Sequence, residues 1–215
     1  IAHEIRNPLS GINIYLDTLN KLHHKDGSEE KVDTIIRQLN AASRKIESVI
    51  RRVMDFAKPS EPRLAFIDIN EPIDEAIQLT AVTMRKSGIL LTKSFGQNLP
   101  AVNADRHLIE EMVLNLINNA AEAMRDSEDD KIIEIHSAVQ GEDIIIIVAD
   151  SGPGIPPELK DKIFDPYVTT KSEGTGIGLS LCHRIAADHG GSLNAGNSDL
   201  GGAEFRVAIP IKRKP

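Results

Sequence analysis

The first quarter of the chain carries apolar residues at helical spacing, in two runs separated by a polar turn. Within residues 1–22 they recur every three or four positions, and after the turn at 23–28 the repeat resumes. The apolar positions are Ile5, Leu9, Ile12, Leu16 and Leu19, then Val32, Ile35, Leu39, Ala42, Ile46, Val49, Val53 and Phe56. This repeat predicts a helical hairpin over residues 1–57 with the seam of a coiled coil or four-helix bundle.

Two helices alone do not bury such a seam on all sides. We therefore expect residues 1–57 to form a homodimer, in which two hairpins make one four-helix bundle. A hairpin that packs on the second domain of its own chain is the alternative that the pattern leaves open.

Beyond a linker at residues 58–63, where two prolines end the helical pattern, strand patterns alternate with helical ones. We expect strands at 65–69, 89–95, 101–103, 131–139, 143–149 and 203–211, and helices at 71–87, at 106–125 and after the glycines at 174–178. The two strands that flank Gly141 form an evident antiparallel hairpin. This mixture predicts an α+β sandwich over residues 64–215.

The composition narrows the class of protein. Of the 215 residues, 40% are apolar and 27% charged, as in soluble globular proteins. No apolar run approaches the ~18–20 residues of a membrane span. The net charge of −7 argues against a nucleic-acid surface, because phosphate binding needs clustered Lys and Arg. The single cysteine, Cys182, excludes an internal disulfide. Since the helical pattern is already under way at Ile1, we expect an upstream sensor segment outside this chain.

Two polar blocks in the second region have features of a nucleotide site. Asn115 and Asn119 lie one helical turn apart, so their amide oxygens share a face and can ligate a phosphate-bound Mg²⁺. Two solvated asparagines are the alternative. Asp150 follows a buried strand and can accept a hydrogen bond from an exocyclic amine such as that of adenine. Gly152 and Gly154 let the backbone approach the base closely, although a plain turn explains this block alone equally well.

A third block, at 174–178, is rich in glycine and precedes a helix. Glycines at such a place free backbone N–H groups for a phosphate, and the helix dipole adds to the attraction. The block is neither a Rossmann fingerprint nor a P-loop, because no strand leads into it and it lacks Gly-Lys-Ser/Thr. Polar residues 169–173 precede it, and Lys171 can swing onto a terminal phosphate as part of a lid.

The fourth feature is a histidine near the start of the chain, His3, with Glu4 directly after it. On a helix the apolar stripe lies opposite His3, which predicts that its imidazole faces solvent. Glu4 can accept the imidazole's proton or orient the ring, which leaves one nitrogen to attack a phosphate. Asn7 lies one turn further on the same side. Pro8 lacks the N–H of a helix hydrogen bond and is expected to bend the helix there.

In this order the blocks closely resemble the sequence boxes of sensor histidine kinases. The H, N, G1, F and G2 boxes correspond here to residues 3–8, 115–120, 150–154, 164–167 and 174–178. The resemblance implies a dimerising hairpin followed by a GHKL-type α/β sandwich that binds ATP and Mg²⁺. It implies Asn119 as a metal ligand, Asp150 at adenine and residues 164–178 as a lid over ATP. The nucleotide-binding residues that it implies are Asn115, Asn119, Asp150, Gly152, Gly154, Ile155, Phe164, Lys171, Gly174, Thr175, Gly176, Ile177, Gly178 and Leu179.

Two departures refine the subclass. Hydrolases and chaperones of the GHKL superfamily typically have a glutamate one turn before the metal-binding asparagine. This chain has Asn115 there, which cannot act as a base, so the resemblance implies that water is not the acceptor. Glu122 stands where many relatives have a basic phosphate contact, which is more like the nitrogen-regulation branch. Lys171, Arg106 or His107 would then have to supply the positive charge.

The resemblance therefore implies a two-component sensor histidine kinase. It implies that His3 is autophosphorylated from MgATP and passes its phosphoryl group to an aspartate of a response regulator's receiver domain. Phosphatase activity toward that regulator is also implied, with Asn7 positioning water. This region is expected in the cytoplasm, and a membrane anchor in the intact protein is left open. The rival interpretations are a GHKL-type ATPase or serine kinase, and a scaffold or phosphatase-dominant module that scarcely phosphorylates itself.

Overall fold

The computed structural model describes residues 2–22, 31–32, 34–43, 46, 62–160, 162–169 and 176–212. Described residues up to 46, together with Thr169, Gly176 and Ile177, form one compact unit, and the remainder form a second. Some predictions lie outside the described residues. These concern the turn at 23–28, the apolar positions Val49, Val53 and Phe56, residues 58–61 of the linker, and Lys171, Gly174 and Thr175.

Helices form the first unit, as the apolar repeat predicts. Helix α1 spans Ala2–Leu22, and residues 31–32, 34–43 and 46 are helical as well. The first helix continues through Pro8, which is buried. Leu9 and Leu16 belong to the predicted seam, yet they are 45% and 46% exposed within one chain. Nearly half of the surface of these two seam side chains is therefore left uncovered by the described residues of the unit.

Strands and helices interleave in the described part of the second unit. The strands are β1 (Ala65–Ile67), β2 (Ile89–Phe95), β3 (Val102–Ala104), β4 (Lys131–Gln140), β5 (Asp143–Asp150), β6 (Ser192–Asn197) and β7 (Ala203–Pro210). The helices are α2 (Asn70–Lys86), α3 (Arg106–Ala123) and α4 (Gly178–Asp188), with a short 3₁₀ turn at Pro157–Leu159. No helix among the described residues is both long and apolar enough to cross a membrane.

These strands form a five-stranded mixed sheet and a small two-stranded ladder. The order in the sheet is β2-β4-β5-β7-β6, with β2 parallel to β4 and every other pair antiparallel. Strand β1 pairs only with β3, antiparallel, among the described strands. The predicted hairpin is confirmed as β4 and β5, which turn at Gly141, where the positive φ of 64° suits glycine. The α+β sandwich expected from the sequence is thus confirmed.

The core of the second unit is almost entirely aliphatic. One stripe of α3 is fully buried and includes Met112, Leu116 and Ile117 at 0% exposure. On β7 buried residues alternate with half-buried ones, so that one side of the strand contributes to the core. Each buried aliphatic side chain of this kind contributes about 1.5–3 kcal/mol. The core therefore holds α3 firmly against its neighbours, and the flank of α3 carries Asn115 and Asn119.

Strand β6 was not predicted from the sequence. Its buried positions are few, with Leu193 at 3% exposure, and it contains Asn194, Gly196 and Asn197, which disfavour strands. Pairing with β7 along its whole length compensates for that composition. The ends of the predicted elements differ from the observed ones by at most two residues.

Candidate functional site

The two asparagines of α3 occupy one half-buried flank of the helix. The Asn115 amide nitrogen donates to the backbone oxygen of Glu111 at 2.9 Å, which fixes the direction of its side chain. The Asn119 amide nitrogen is buried and finds no hydrogen-bond partner within the described residues. Leaving a buried donor unpaired costs about 1–3 kcal/mol, so Asn119 is suited to a group that the polypeptide itself does not provide.

Helix α4 begins directly opposite these asparagines. A Cβ atom added to Gly178 would lie 3.4 Å from Asn115 Oδ1 and 3.8 Å from Asn119 Nδ2. The first N–H groups of any helix lack an intrahelical acceptor and carry a partial positive charge. The start of α4 and the buried amide of Asn119 therefore converge on one point, where they form a cradle suited to an anion such as a phosphate.

The carboxylate of Asp150 lies at the end of β5 and is only 2% exposed. Its Oδ1 accepts hydrogen bonds from the backbone N–H of Gly152 at 2.9 Å and of Ala203 at 3.1 Å. Backbone donors of this kind form charge-assisted bonds and hold the carboxylate in one orientation. Asp150 is thus a carboxylate held in one orientation at the end of β5, the central strand of the sheet.

Glycines surround Asp150 on two sides. A Cβ at Gly152 would lie 2.9 Å from Asp150 Oδ1. A Cβ at Gly202 would overlap the carboxylate and carbonyl oxygens of Asp150 and lie 2.5 Å from the nitrogen of Gly152. Gly154 has a positive φ of 76° and faces the Gly202 carbonyl. Gly202 was not predicted from the sequence, where the available signal was the pair of glycines directly before the final predicted strand.

Three other predicted nucleotide residues pack on the hydrophobic core instead of lying free. Ile155, Phe164 and Leu179 are half-buried against it. The Phe164 ring stacks on His183, with ring centroids 5.3 Å apart. The His183 ring therefore supports Phe164.

The remaining predicted residues fall in the first unit. Gly176 has a positive φ of 63° and Ile177 is 3% exposed. His3 and Glu4 lie on α1, and the structure describes no more of them. Asn7, one turn further, is exposed.

The suggestion that Arg106 or His107 supplies positive charge at the asparagines is wrong. Both residues begin α3, about 20 Å from Asn119 at 1.5 Å per residue. The Arg106 guanidinium instead binds Glu75 with two nitrogens, at 2.7 and 3.2 Å, and also pairs with Glu71. These hydrogen bonds raise the pKa of Arg106 and lower that of Glu75. The role of Arg106 is thus to join α2 to α3.

Glu122, the second departure from the family pattern, lies on the surface near the end of α3. It lines a cavity of about 370 Å³ together with Thr83 and Ser87 from the end of α2. The cavity also contains Asn118 and Arg125. Glu122 therefore lines a cavity between α2 and α3, on the flank of α3 that adjoins the one carrying Asn119.

The amide oxygens of Asn115 and Asn119 are suitable ligands for a magnesium ion that is carried by phosphates. The described residues contain no group of three His, Cys, Asp or Glu side chains that could hold a metal by themselves. Mg²⁺ prefers oxygen ligands and retains several waters, so it is often bound by one or two protein groups plus substrate phosphates. The amide oxygen of Asn119 can serve as such a protein ligand, while its buried nitrogen, which has no partner among the described residues, can donate to the phosphates.

Two family models match the chain. One is described as "Histidine kinase-, DNA gyrase B-, and HSP90-like ATPase" and matches residues 104–213; the other, "His Kinase A (phospho-acceptor) domain", matches residues 1–62. The chain is 36% identical to the C4-dicarboxylate transport sensor protein DctS of Rhodobacter capsulatus, over 100% of this chain and 33% of DctS. It is 32% identical to the sensory histidine kinase/phosphatase NtrB of Rhizobium leguminosarum bv. phaseoli, over 99% of this chain and 57% of NtrB. The chain thus spans between a third and about three fifths of these relatives.

Solved structures of histidine kinases also match the chain. Histidine kinase ThkA, in complex with the response regulator protein TrrA, matches with a TM-score of 0.74 and 30% identity, over 99% of this chain and 60% of that one. Full-length ShkA in complex with AMPPNP matches with a TM-score of 0.73 and 26% identity, over 99% of this chain and 45% of that one. Both matches extend over the helical region and the sandwich.

Proposed function

The chain belongs to the sensor histidine kinases, and on that basis we propose that it binds MgATP in its second unit and transfers the γ-phosphoryl group to His3. The observation that carries the proposal is that the start of α4 at Gly178 lies beside Asn115 and Asn119, where the buried nitrogen of Asn119 has no partner among the described residues. We divide the chain accordingly into a phosphoacceptor hairpin at 1–57, a linker at 58–63 and an ATP-binding domain at 64–215.

Adenine is recognised by Asp150 in this proposal. Two backbone N–H groups hold Oδ1 of its carboxylate and fix its orientation, and in this proposal an exocyclic amine of the base donates to that carboxylate. Gly152, Gly154 and Gly202 leave room for the flat base, because side chains there would fill the space around the carboxylate. Ile155 and Leu179 provide apolar surface beside it.

The phosphates lie at the start of α4 in this proposal. The resemblance assigns the phosphate contacts to the glycine block at 174–178 and assigns Lys171 to a lid over the terminal phosphate, and the Asn119 amide lies beside the start of α4. The amide oxygen of Asn119 would hold a Mg²⁺ ion carried by the phosphates, and that ion would neutralise charge on the transferred group. Asn115 lines the same cradle and provides no general base for water.

The transfer itself takes place at His3. One imidazole nitrogen forms a bond to the γ-phosphorus while the bond from that phosphorus to the bridging oxygen breaks, so ADP leaves. Glu4 accepts the imidazole's proton or orients the ring. The phosphoryl group then passes to an aspartate of a response regulator, and Asn7 positions water for the reverse, phosphatase reaction. ATP use supports a cytoplasmic location for this region.

The hairpin dimerises in this proposal. Leu9, Ile14, Leu16 and Ile36 are between 44% and 63% exposed in the single chain, although the heptad repeat assigns Leu9 and Leu16 to an apolar seam. Pairing with a second copy covers these side chains and completes a four-helix bundle.

A phosphatase-dominant module is the second candidate. It is favoured by the similarity to NtrB, whose name includes both activities, and by the exposure of Asn7. The presence of Glu122 in place of a basic residue, which is more like the nitrogen-regulation branch, also favours this candidate. In that case the chain binds nucleotide but transfers little phosphate to His3, so a comparison of nucleotide binding with His3 labelling separates the two candidates.

Titration calorimetry with MgAMPPNP on the full chain tests the proposed site. Asn119→Ala should weaken binding by about tenfold or more, because it removes a metal ligand and a buried donor. Asn118→Ala is the matched control, since Asn118 is exposed on the adjoining flank of the same helix. Equal affinities for the two variants, or no binding by the unmodified chain, contradict the proposal.

A further inference from the structure

The end of α3 that lies away from the asparagines begins with a buried acidic residue, Asp105. Its side chain is the N-cap of α3, because Oδ1 accepts from the N–H groups of His107 at 3.0 Å and Leu108 at 3.3 Å. Its other oxygen, Oδ2, accepts from the backbone N–H of Arg63 at 2.7 Å. The backbone N–H of Asp105 donates to His189 Nε2 at 2.9 Å. Asp105 thus joins the start of α3 to two distant segments.

His189 has both ring nitrogens engaged although it is only 3% exposed. Since Nε2 accepts a hydrogen bond, Nδ1 carries the proton and donates to the Ile185 backbone oxygen at 2.7 Å. The backbone N–H of His189 bonds Ile185 and Ala186, which ends α4. The imidazole therefore ties the last turn of α4 to the residue that caps α3.

Helices α3 and α4 are antiparallel, and each end of the pair has a different function. At one end Asp105 contacts His189, and at the other Asn115 and Asn119 face Gly178. At 1.5 Å per residue, α4 is a rod of about 16 Å between these two ends. A shift of α4 along α3 therefore moves the phosphate-binding donors relative to Asn119 by the same amount. A displacement near 1 Å takes hydrogen bonds out of their favourable range, which spans only about 0.5 Å.

The linker reaches the same corner of the domain. Strand β1 follows Arg63 and pairs with β3, which ends just before Asp105. Because Arg63 bonds through its backbone N–H, the interaction depends on the path of the chain and not on the Arg63 side chain. Any movement of residues 62–64 therefore acts directly on Asp105.

We propose that His189 is a positioning residue that sets the register of α4 on α3, and that Asp105 couples the path of the linker to the nucleotide site through it. The inference rests on the proposed nucleotide site between Asn119 and Gly178. It gives the hairpin a route by which a change at the linker alters nucleotide affinity without a contact to the nucleotide.

Two pairs of variants test this in the full chain, with MgAMPPNP affinity from calorimetry as the readout and thermal unfolding as the check on folding. His189→Leu removes the acceptor for the Asp105 N–H, whereas His189→Gln keeps an acceptor, because its side-chain carbonyl oxygen can lie where Nε2 was. Arg63→Pro removes the backbone N–H, whereas Arg63→Ala keeps it. Proline fits at this position, because Leu64 N–H bonds the Pro62 oxygen in a tight turn around Arg63, whose φ is not positive.

The expected result is a Kd for MgAMPPNP that rises about tenfold in His189→Leu and several-fold in Arg63→Pro, within the usual range of coupling between sites. His189→Gln and Arg63→Ala should bind within about threefold of the unmodified chain. A His189→Leu protein that unfolds at lower temperature but binds nucleotide normally overturns the inference, because the residue is then only structural. Equal affinities within either pair overturn it as well, and if His189→Leu does not fold, the Arg63 pair decides. Failure of the unmodified chain to bind nucleotide overturns the proposed site itself.

Discussion

Replacing Gly202 with alanine tests how closely the backbone must approach the proposed adenine acceptor. The added methyl group would overlap the carboxylate and carbonyl oxygens of Asp150 and lie 2.5 Å from the nitrogen of Gly152. Two of these three atoms belong to the backbone and cannot rotate away. The start of β7 must therefore move, and Ala203 then loses its 3.1 Å hydrogen bond to Asp150 Oδ1.

The magnitude follows from these two effects. Overpacking of a close contact costs about 1–3 kcal/mol, and a lost hydrogen bond to a charged group about 1.5–3 kcal/mol. Together they lower the free energy of unfolding, or distort the structure around Asp150, at a total cost of about 2.5–6 kcal/mol. If about half of it acts on the orientation of Asp150, the Kd for MgAMPPNP rises by about tenfold to a hundredfold.

The assay is calorimetric titration of the full chain with MgAMPPNP, together with urea unfolding. Gly196→Ala is the matched control, because Gly196 lies in the paired strand β6 and a Cβ there meets nothing within 4 Å. It should leave nucleotide affinity unchanged within about twofold and stability within about 0.5 kcal/mol. A Gly202→Ala protein that matches Gly196→Ala in both measurements would refute the role assigned to this close approach.

Three further predictions follow from the same site. Asn115→Glu places a carboxylate where GHKL hydrolases have their base, so ATP hydrolysis measured by phosphate release should rise above that of the unmodified chain; unchanged release contradicts the assigned role of Asn115. EDTA should weaken ATP binding by about tenfold or more, because the metal joins Asn119 to the phosphates; an unchanged Kd argues against a magnesium site. Burial raises the pKa of the Cys182 thiol to about 12, so alkylation by iodoacetamide at pH 8 should be at least about a hundredfold slower in the folded chain than in urea; similar rates would show that Cys182 is not enclosed.

Local patterns predicted most of the fold. The apolar stripe of α3 and the strands on either side of Gly141 have strong periodicity, and their burial in the structure follows it. Strand β6 has no such signal, because pairing with β7 and not its own composition stabilises it. Propensity was overridden there by long-range hydrogen bonds.

The candidate site could be proposed from the sequence where one residue type has a distinct chemistry, as at Asp150 and Asn119. It was not predictable where the function of a residue comes from a neighbour distant in sequence. Gly202 is needed only because β7 starts beside Asp150, and His189 gains its partner only because α4 ends beside the cap of α3. Arg106 was proposed for the site for the same reason, because its pairing with Glu71 and Glu75 on another helix could not be inferred from the local sequence.

Phosphorylation of His3 is the central claim, and incubation of the full chain with γ-labelled ATP and Mg²⁺ tests it most directly. We expect label on the protein that is stable in alkali, labile in acid and absent from His3→Gln. The His3→Gln protein should still bind MgAMPPNP normally, because His3 lies outside the proposed nucleotide site. Label that persists in His3→Gln, label on serine, or ATP turnover without any labelled protein would contradict the account.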